Sequence, residues 1–198
     1  MRKEKLEELK YYMEELKTLE KIKEERLANF IKGEVYKCRL NNGQIITREK
    51  LLKGNKTGSA AVILPMTTNQ EVILVVEPRV FTKKTVGVGL PAGYIESCEL
   101  PIDAALRELQ EETGYIPKKI VSLGGFYQDM GCSGAYNECF LALGCQKISE
   151  QNLDQDEFIR YFKCYFDEAL ELVELGYIEG CNTIITLEKV KKLGGCYV

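Results

Sequence analysis

The sequence contains no histidine at all. That absence removes Ser-His-Asp and Cys-His catalysis, H-E-x-x-H zinc sites and imidazole general bases together, so acid–base or metal chemistry here must rest on carboxylates. Long apolar runs are missing too, and nothing approaches the roughly 18 apolar residues that a membrane span requires. Positive charge is not in excess: 27 Lys and Arg stand against 30 Asp and Glu, for a net charge of −3. The longest positive run, Lys189 to Lys192, is interrupted by Val190. There is thus no basic field to attract nucleic acid. The 8 cysteines, from Cys38 to Cys196, never fall in a C-x-x-C pair. They read as reduced, small, buried hydrophobes, with Cys132 set apart beside a candidate site loop. Met1-Arg2-Lys3-Glu4-Lys5 opens a charged helix and not the apolar core of a signal peptide, so a cytoplasmic location is expected.

What is present suits one domain of mixed structure with an appendage, divided here as an extension over 1–58 and a domain over 59–198. Residues 4–28 are almost all good helix formers. Leu6, Leu9, Met13, Leu16, Leu19, Ile22 and Leu27 recur at helical steps, which predicts one amphipathic helix packed on the domain or on a second subunit. Strand signals follow at Val35 to Leu40 and Gln44 to Thr47 around Asn41-Asn42-Gly43, a hairpin. Apolar runs at Ser59 to Leu64 and Glu71 to Val76 read as adjacent core strands, and Thr85 to Leu90 as another. A helix over Pro101 to Thr113 has Pro in its first turn and Gly114 at its stop. Strands are expected at Ile120 to Tyr127, Asn137 to Gly144 and Phe158 to Phe166, then helices at Asp167 to Leu175 and Thr183 to Leu193. Helices flanking a mixed sheet, with strands in succession, give an α+β class.

The chemistry concentrates on the helix after Pro101. In Arg107-Glu108-Leu109-Gln110-Glu111-Glu112, Glu108 and Glu112 are four apart and share a face, with Glu111 beside them. Carboxylates crowded in this way repel unless a cation neutralises them. Oxygen donors without His or Cys select a hard ion, Mg²⁺ or else Mn²⁺ or Ca²⁺. The plain alternative is an acidic helix facing solvent.

The wider spacing removes that alternative: Gly93, five residues, Glu99, seven residues, then Arg107-Glu108-Leu109, Gln110, Glu111-Glu112, Thr113, Gly114. This resembles the Nudix box, G-x5-E-x7-R-E-U-x-E-E-x-G-U, and departs from it only at the last position, Tyr115. The resemblance implies an α/β/α sandwich in which Glu108, Glu112 and the carbonyl of Ala92 bind a divalent metal, Mg²⁺ with Mn²⁺ possible. Glu111 is then a ligand or water-orienting group. Arg107 would pair with Glu111 or brace Glu99.

Flanking segments narrow the resemblance. Val75-Val76-Glu77-Pro78-Arg79 followed by Leu90-Pro91-Ala92-Gly93, and Cys132-Ser133-Gly134-Ala135-Tyr136-Asn137-Glu138, look like the ADP-ribose and nucleoside-diphosphate-sugar pyrophosphatases of that family. Ser133 replaces their marker proline, and Gly89 stands where many have Glu. The likeness implies Arg79 on the diphosphate, Gly134 at the substrate, and Glu138 at the terminal ribose or assisting the metal. It places a general base in the acidic loop, Glu157 first, then Asp156 and Asp154. It also implies a homodimer joined through the hairpin, with Tyr36 a candidate adenine stack or an ordinary strand tyrosine. The activity implied is metal-dependent cleavage of a sugar nucleotide. Alternatives are a Nudix enzyme for a dinucleotide, coenzyme A or an oxidised triphosphate, and a non-catalytic module that senses a nucleotide sugar.

Overall fold

In the computed structural model the described residues are 2–22, 30–54 and 56–194. Their centre is a mixed sheet whose path runs β10 (Arg160–Tyr165), β4 (Glu71–Pro78), β3 (Ala60–Thr67), β9 (Tyr136–Lys147) and β7 (Tyr115–Ile116). On its flanks β5 (Val86–Gly89) pairs with β4, β6 (Ala92–Tyr94) with β3, and β8 (Lys119–Tyr127) with β9. Only β3 and β9 run parallel, Ala61 lying opposite Glu138 and Ile63 opposite Phe140; the other pairings are antiparallel.

Every residue of β3 is buried, as a strand covered on both faces must be. Its side chains alternate between two layers. Ala61 and Ile63 meet Ala104, Ala105 and Leu109 of α2 (Pro101–Thr113). Val62, Leu64 and Met66 join Leu172 of α3 (Phe166–Glu174) and Leu187 and Val190 of α4 (Cys181–Lys192) on the other side. This is the expected α/β/α sandwich. Among the described residues no helix is long and apolar enough to cross a membrane.

The first helix departs from its expected length. It spans Lys3–Glu15 as α1, and Leu16 closes it with its N–H on the Tyr12 carbonyl, 3.0 Å away. Leu9 is fully buried within the domain core, with Tyr12, Met13 and Leu16 against it, so the partner of this stripe is the domain itself. Beyond it the periodicity fails: Leu19 and Ile22 are 95% and 81% exposed, and Leu27 lies outside the described residues. Nothing local stops the helix, since Lys17, Leu19 and Glu20 all suit one. A tertiary contact does, Thr18 being hydrogen-bonded to Thr85. The hairpin forms where expected but is longer, β1 (Ile31–Arg39) against β2 (Ile45–Lys53), and it makes its own two-stranded sheet.

Candidate active site

The carboxylate helix is set by local signals. Pro101 occupies its first turn, and Gly114 closes it at φ 78°, where its N–H reaches the Gln110 carbonyl at 2.8 Å. A side chain at Gly114 would also strike the Ser149 carbonyl, 2.1 Å from an added Cβ. Glycine thus both ends the helix and admits the acidic loop that crosses it.

Along α2 the carboxylates differ sharply. Glu112 is 4% exposed, and its Oε2 has no hydrogen-bond partner. Glu108 is 8% exposed and lies against Gly93, where an added Cβ would sit 1.8 Å from its Oε1. That contact, and not a turn, explains the glycine at this position within β6.

Arg107 knits the site together. Its Nε donates to Glu99 Oε1 at 2.9 Å, Nη1 to Glu108 Oε1 at 2.7 Å and Glu111 Oε2 at 3.0 Å, and Nη2 to the Tyr94 carbonyl at 3.2 Å. Both expected pairings are therefore made at once. The guanidinium bond holds the Glu99 carboxyl below the usual carboxylate range.

Burial raises the pKa of Glu112 well above its ordinary value, and the charges of Glu77, Glu108 and Glu157 add to it. Glu108 and Glu77 are raised for the same first reason, desolvation, and each also feels Glu157. These four glutamates form one electrostatic unit. Asp154 and Asp156 are exposed. Glu157 is half-buried on the same turn, its Oε2 accepting from the Asp154 N–H at 3.1 Å. The turn is moored to α2 by the Asn152 N–H on the Glu111 carbonyl, 2.9 Å, and by Gln151 Nε2 on the carbonyls of Glu112, 2.6 Å, and Ile159, 3.2 Å.

A cleft of about 480 Å³ opens beside the cluster, lined by Glu77, Arg79, Ala92, Tyr94, Gln128 and Asn182 among others. Arg79 is ion-paired with Glu77 at its edge. A polar chain runs under its floor: Lys53 Nζ to Gln128 Oε1 at 3.0 Å, Gln128 Nε2 to Asn137 Oδ1 at 3.0 Å, Asn137 Nδ2 to Asn182 Oδ1 at 2.8 Å. Its polarity is fixed by donor-only groups, the Lys53 ammonium and the Ala60 N–H, which also bonds Asn137 Oδ1 at 3.0 Å. The amide N–H₂ of Asn182 is consequently a donor left for the cleft.

The sequence candidates thus divide. Ala92, Arg79, Arg107, Glu108, Glu111, Glu112 and Glu157 come together. Glu138 lies on β9 opposite Ala61 and Gly125, and Gly134 packs near Thr57, neither of them lining this cleft. Tyr36 stays on the hairpin, 44% exposed, bonded to Glu34 with Lys50 over its ring. Cys132 Sγ donates to Asp129, which pushes its thiol pKa up and disfavours a reactive thiolate. Glu77, Gln151 and the Gln128–Asn137–Asn182 chain were missed. Only Glu77 gave a signal, a charge closing an apolar strand two residues before Arg79.

The site fits a hard divalent cation. An orphaned buried carboxylate oxygen on Glu112, an all-oxygen donor set and the close Glu108–Gly93 contact suit such an ion. Among the described residues no three carboxylates converge in a finished ligand set, Glu108 being turned onto Arg107. A sandwich fold that presents such a helix beside this cleft suits a carboxylate-based, metal-dependent hydrolase. The NUDIX domain model matches residues 56–194, and the chain belongs to the Nudix hydrolase family. It is 33% identical over 150 residues to the ADP-ribose pyrophosphatase of Bacillus subtilis (strain 168), covering 75% of this chain and 78% of that protein. It is 30% identical over 159 residues to the methanol dehydrogenase activator of Bacillus methanolicus, covering 80% and 83%. A crystal structure of an ADP compounds hydrolase superposes with a TM-score of 0.72 at 19% identity, covering 90% of this chain and 94% of that one.

Proposed function

We propose that this Nudix hydrolase cleaves the diphosphate of ADP-ribose, or of a closely related nucleoside diphosphate sugar, giving a nucleoside monophosphate and a sugar phosphate. The observation that carries the reading is the set Glu77, Glu108, Glu112 and Glu157, which act on one another electrostatically and of which Glu77 lines a cleft of about 480 Å³. The B. subtilis relative's name supports the choice of substrate.

Glu108, Glu112 and the Ala92 carbonyl hold the cation, with Glu111 as a further ligand or water-orienting group, and Mg²⁺ is the ion that this oxygen set suits best. When bound, the ion supplies Lewis-acid polarisation of a phosphate and lowers the pKa of the attacking water. Glu157 takes the proton from that water. Arg79 orients the diphosphate with its planar fork of donors, Glu77 holding the guanidinium at the cleft until substrate arrives. The water oxygen bonds to one phosphorus, the bridging P–O bond breaks, and its electron pair leaves on the other phosphate. The Asn182 amide donates to an acceptor of the nucleoside or sugar. A homodimer joined through the β1–β2 hairpin completes the reading.

Incubation with ADP-ribose and Mg²⁺ in ¹⁸O-water, followed by product analysis, tests it. AMP and ribose 5-phosphate, with label on one of them, are expected from wild type and not from Glu112→Gln. Faster cleavage of nucleoside triphosphates than of any sugar nucleotide would overturn the substrate class. Tight binding of ADP-ribose without turnover would make the protein a sensor.

A further inference from the structure

Residues 16–22 lie outside the matched family region, yet they touch the loop that carries Arg79. Past the end of α1, the chain crosses the β4–β5 connection, the loop 79–85 that carries Arg79 and Thr82 on the cleft wall. Thr18 grips its far end: the Thr18 N–H donates to Thr85 Oγ1 at 3.1 Å, and Thr18 Oγ1 to the Thr85 carbonyl at 3.4 Å. Thr85 Oγ1 donates in return to the Thr18 carbonyl at 3.4 Å. Three residues on, Lys21 Nζ bonds the Val80 carbonyl at 3.2 Å.

The gripped residue is strained. Thr85 sits at φ 60°, a left-handed conformation that a β-branched residue adopts only when its surroundings impose it. Thr85 is joined to Arg79 by the loop's own hydrogen bonds. The Arg79 N–H donates to the Thr85 carbonyl at 3.0 Å, and both the Thr82 N–H and its hydroxyl return to the Arg79 carbonyl, at 2.9 and 2.8 Å. The Arg79 side chain then lies across Gly87, where an added Cβ would come within 2.7 Å of its Cγ. From the opposite side Lys84 ties the loop to the Gly176 carbonyl and to Glu179, the latter at 3.2 Å. The loop is stapled at both edges, and one staple is the N-terminal arm.

We propose that Thr18 and Thr85 are positioning residues for the reaction: the N-terminal arm straps the 79–85 loop and so fixes Arg79 against the substrate's diphosphate. This rests on the reading of Arg79 given above. Thr85→Val keeps the shape and removes the hydroxyl that both accepts from and donates to Thr18. Thr85→Ser keeps the hydroxyl.

In Thr85→Val, amide hydrogen exchange at Arg79 and Thr85 should accelerate, while Thr85→Ser exchanges as wild type. KM for ADP-ribose should rise about fivefold, with kcat within about twofold. The KM effect should vanish in an Arg79→Ala background, because the strap works through that side chain. A KM penalty of equal size in both backgrounds would make the contact merely structural and overturn the proposal. Unchanged exchange would also overturn it, as would faster exchange with unchanged KM. If wild type leaves ADP-ribose uncut, the substrate reading has failed, KM is measured on whichever diphosphate it does cleave, and the exchange experiment still decides whether the strap exists.

Discussion

Glu112 sits where a negative charge is disfavoured: a carboxylate 4% exposed, one oxygen without a partner, facing other glutamates. Its pKa in the folded chain lies above the ordinary 4.5, so between those two values the native state holds a proton that the unfolded chain has released. Its contribution to the stability of the metal-free protein is therefore full below the ordinary value and is lost as pH rises through the folded one. Thermal unfolding in EDTA should show Glu112→Gln gaining melting temperature over wild type as pH rises, with little difference in acid. The same substitution should abolish the stabilisation that Mg²⁺ gives wild type, a mass-action effect that needs the ligand set. A Mg²⁺-dependent shift that persisted in Glu112→Gln would remove this residue from the ion's ligands. For Glu157→Gln, kcat should drop on the order of 10² to 10⁴ if this group takes the proton from water, with Mg²⁺ binding retained. Wild-type turnover would pass that role to another acid.

The loop that carries Glu157 has no regular structure of its own, and its position is borrowed from α2. Gln151 spans the carbonyls of Glu112 and Ile159. Removing it in Gln151→Ala should lower unfolding stability by about 1 to 3 kcal/mol, because buried acceptors lose their partner. It should also lower kcat more than it raises KM, as the base drifts; urea denaturation and steady-state kinetics would read the two effects. Elements governed by their own chain were legible. The carboxylate helix was expected over Pro101 to Thr113 and occupies Pro101–Thr113, because proline and glycine fix both ends locally. Strands β6 and β7, of three and two residues, were not seen, being too short to show a period. Helix α1 was overestimated because good helix formers continue past Glu15 while Thr18 is claimed by Thr85.

At the scale of the whole molecule, the hairpin stands off the main sheet with Ile31, Val35 and Ile45 on one face, 55%, 71% and 58% exposed. A face of this kind needs a cover. In the proposed homodimer, Val35→Asp with Ile45→Asp should shift sedimentation from dimer to monomer while the core still unfolds cooperatively; an unaltered dimer would place the interface elsewhere. The base of the hairpin is tied to the cleft, Phe30 packing on Tyr94 with ring centres 5.8 Å apart and Lys53 opening the amide chain to Asn182.

By itself the sequence made the class of chemistry legible: with no histidine, the spaced glutamates Glu99, Glu108, Glu111 and Glu112 offer oxygen donors that suit a hard cation. It also determined the helix that displays three of them, because turn-forming residues and i, i+4 spacing act over a few residues. The tertiary structure decided which acid of the 154–157 loop faces that helix, that Glu77 joins the cluster, and that the N-terminal arm grips the loop of Arg79. Each of these is a contact between segments distant in the chain. Burial, not spacing, sets its strength, and burial exists only once the layers have packed.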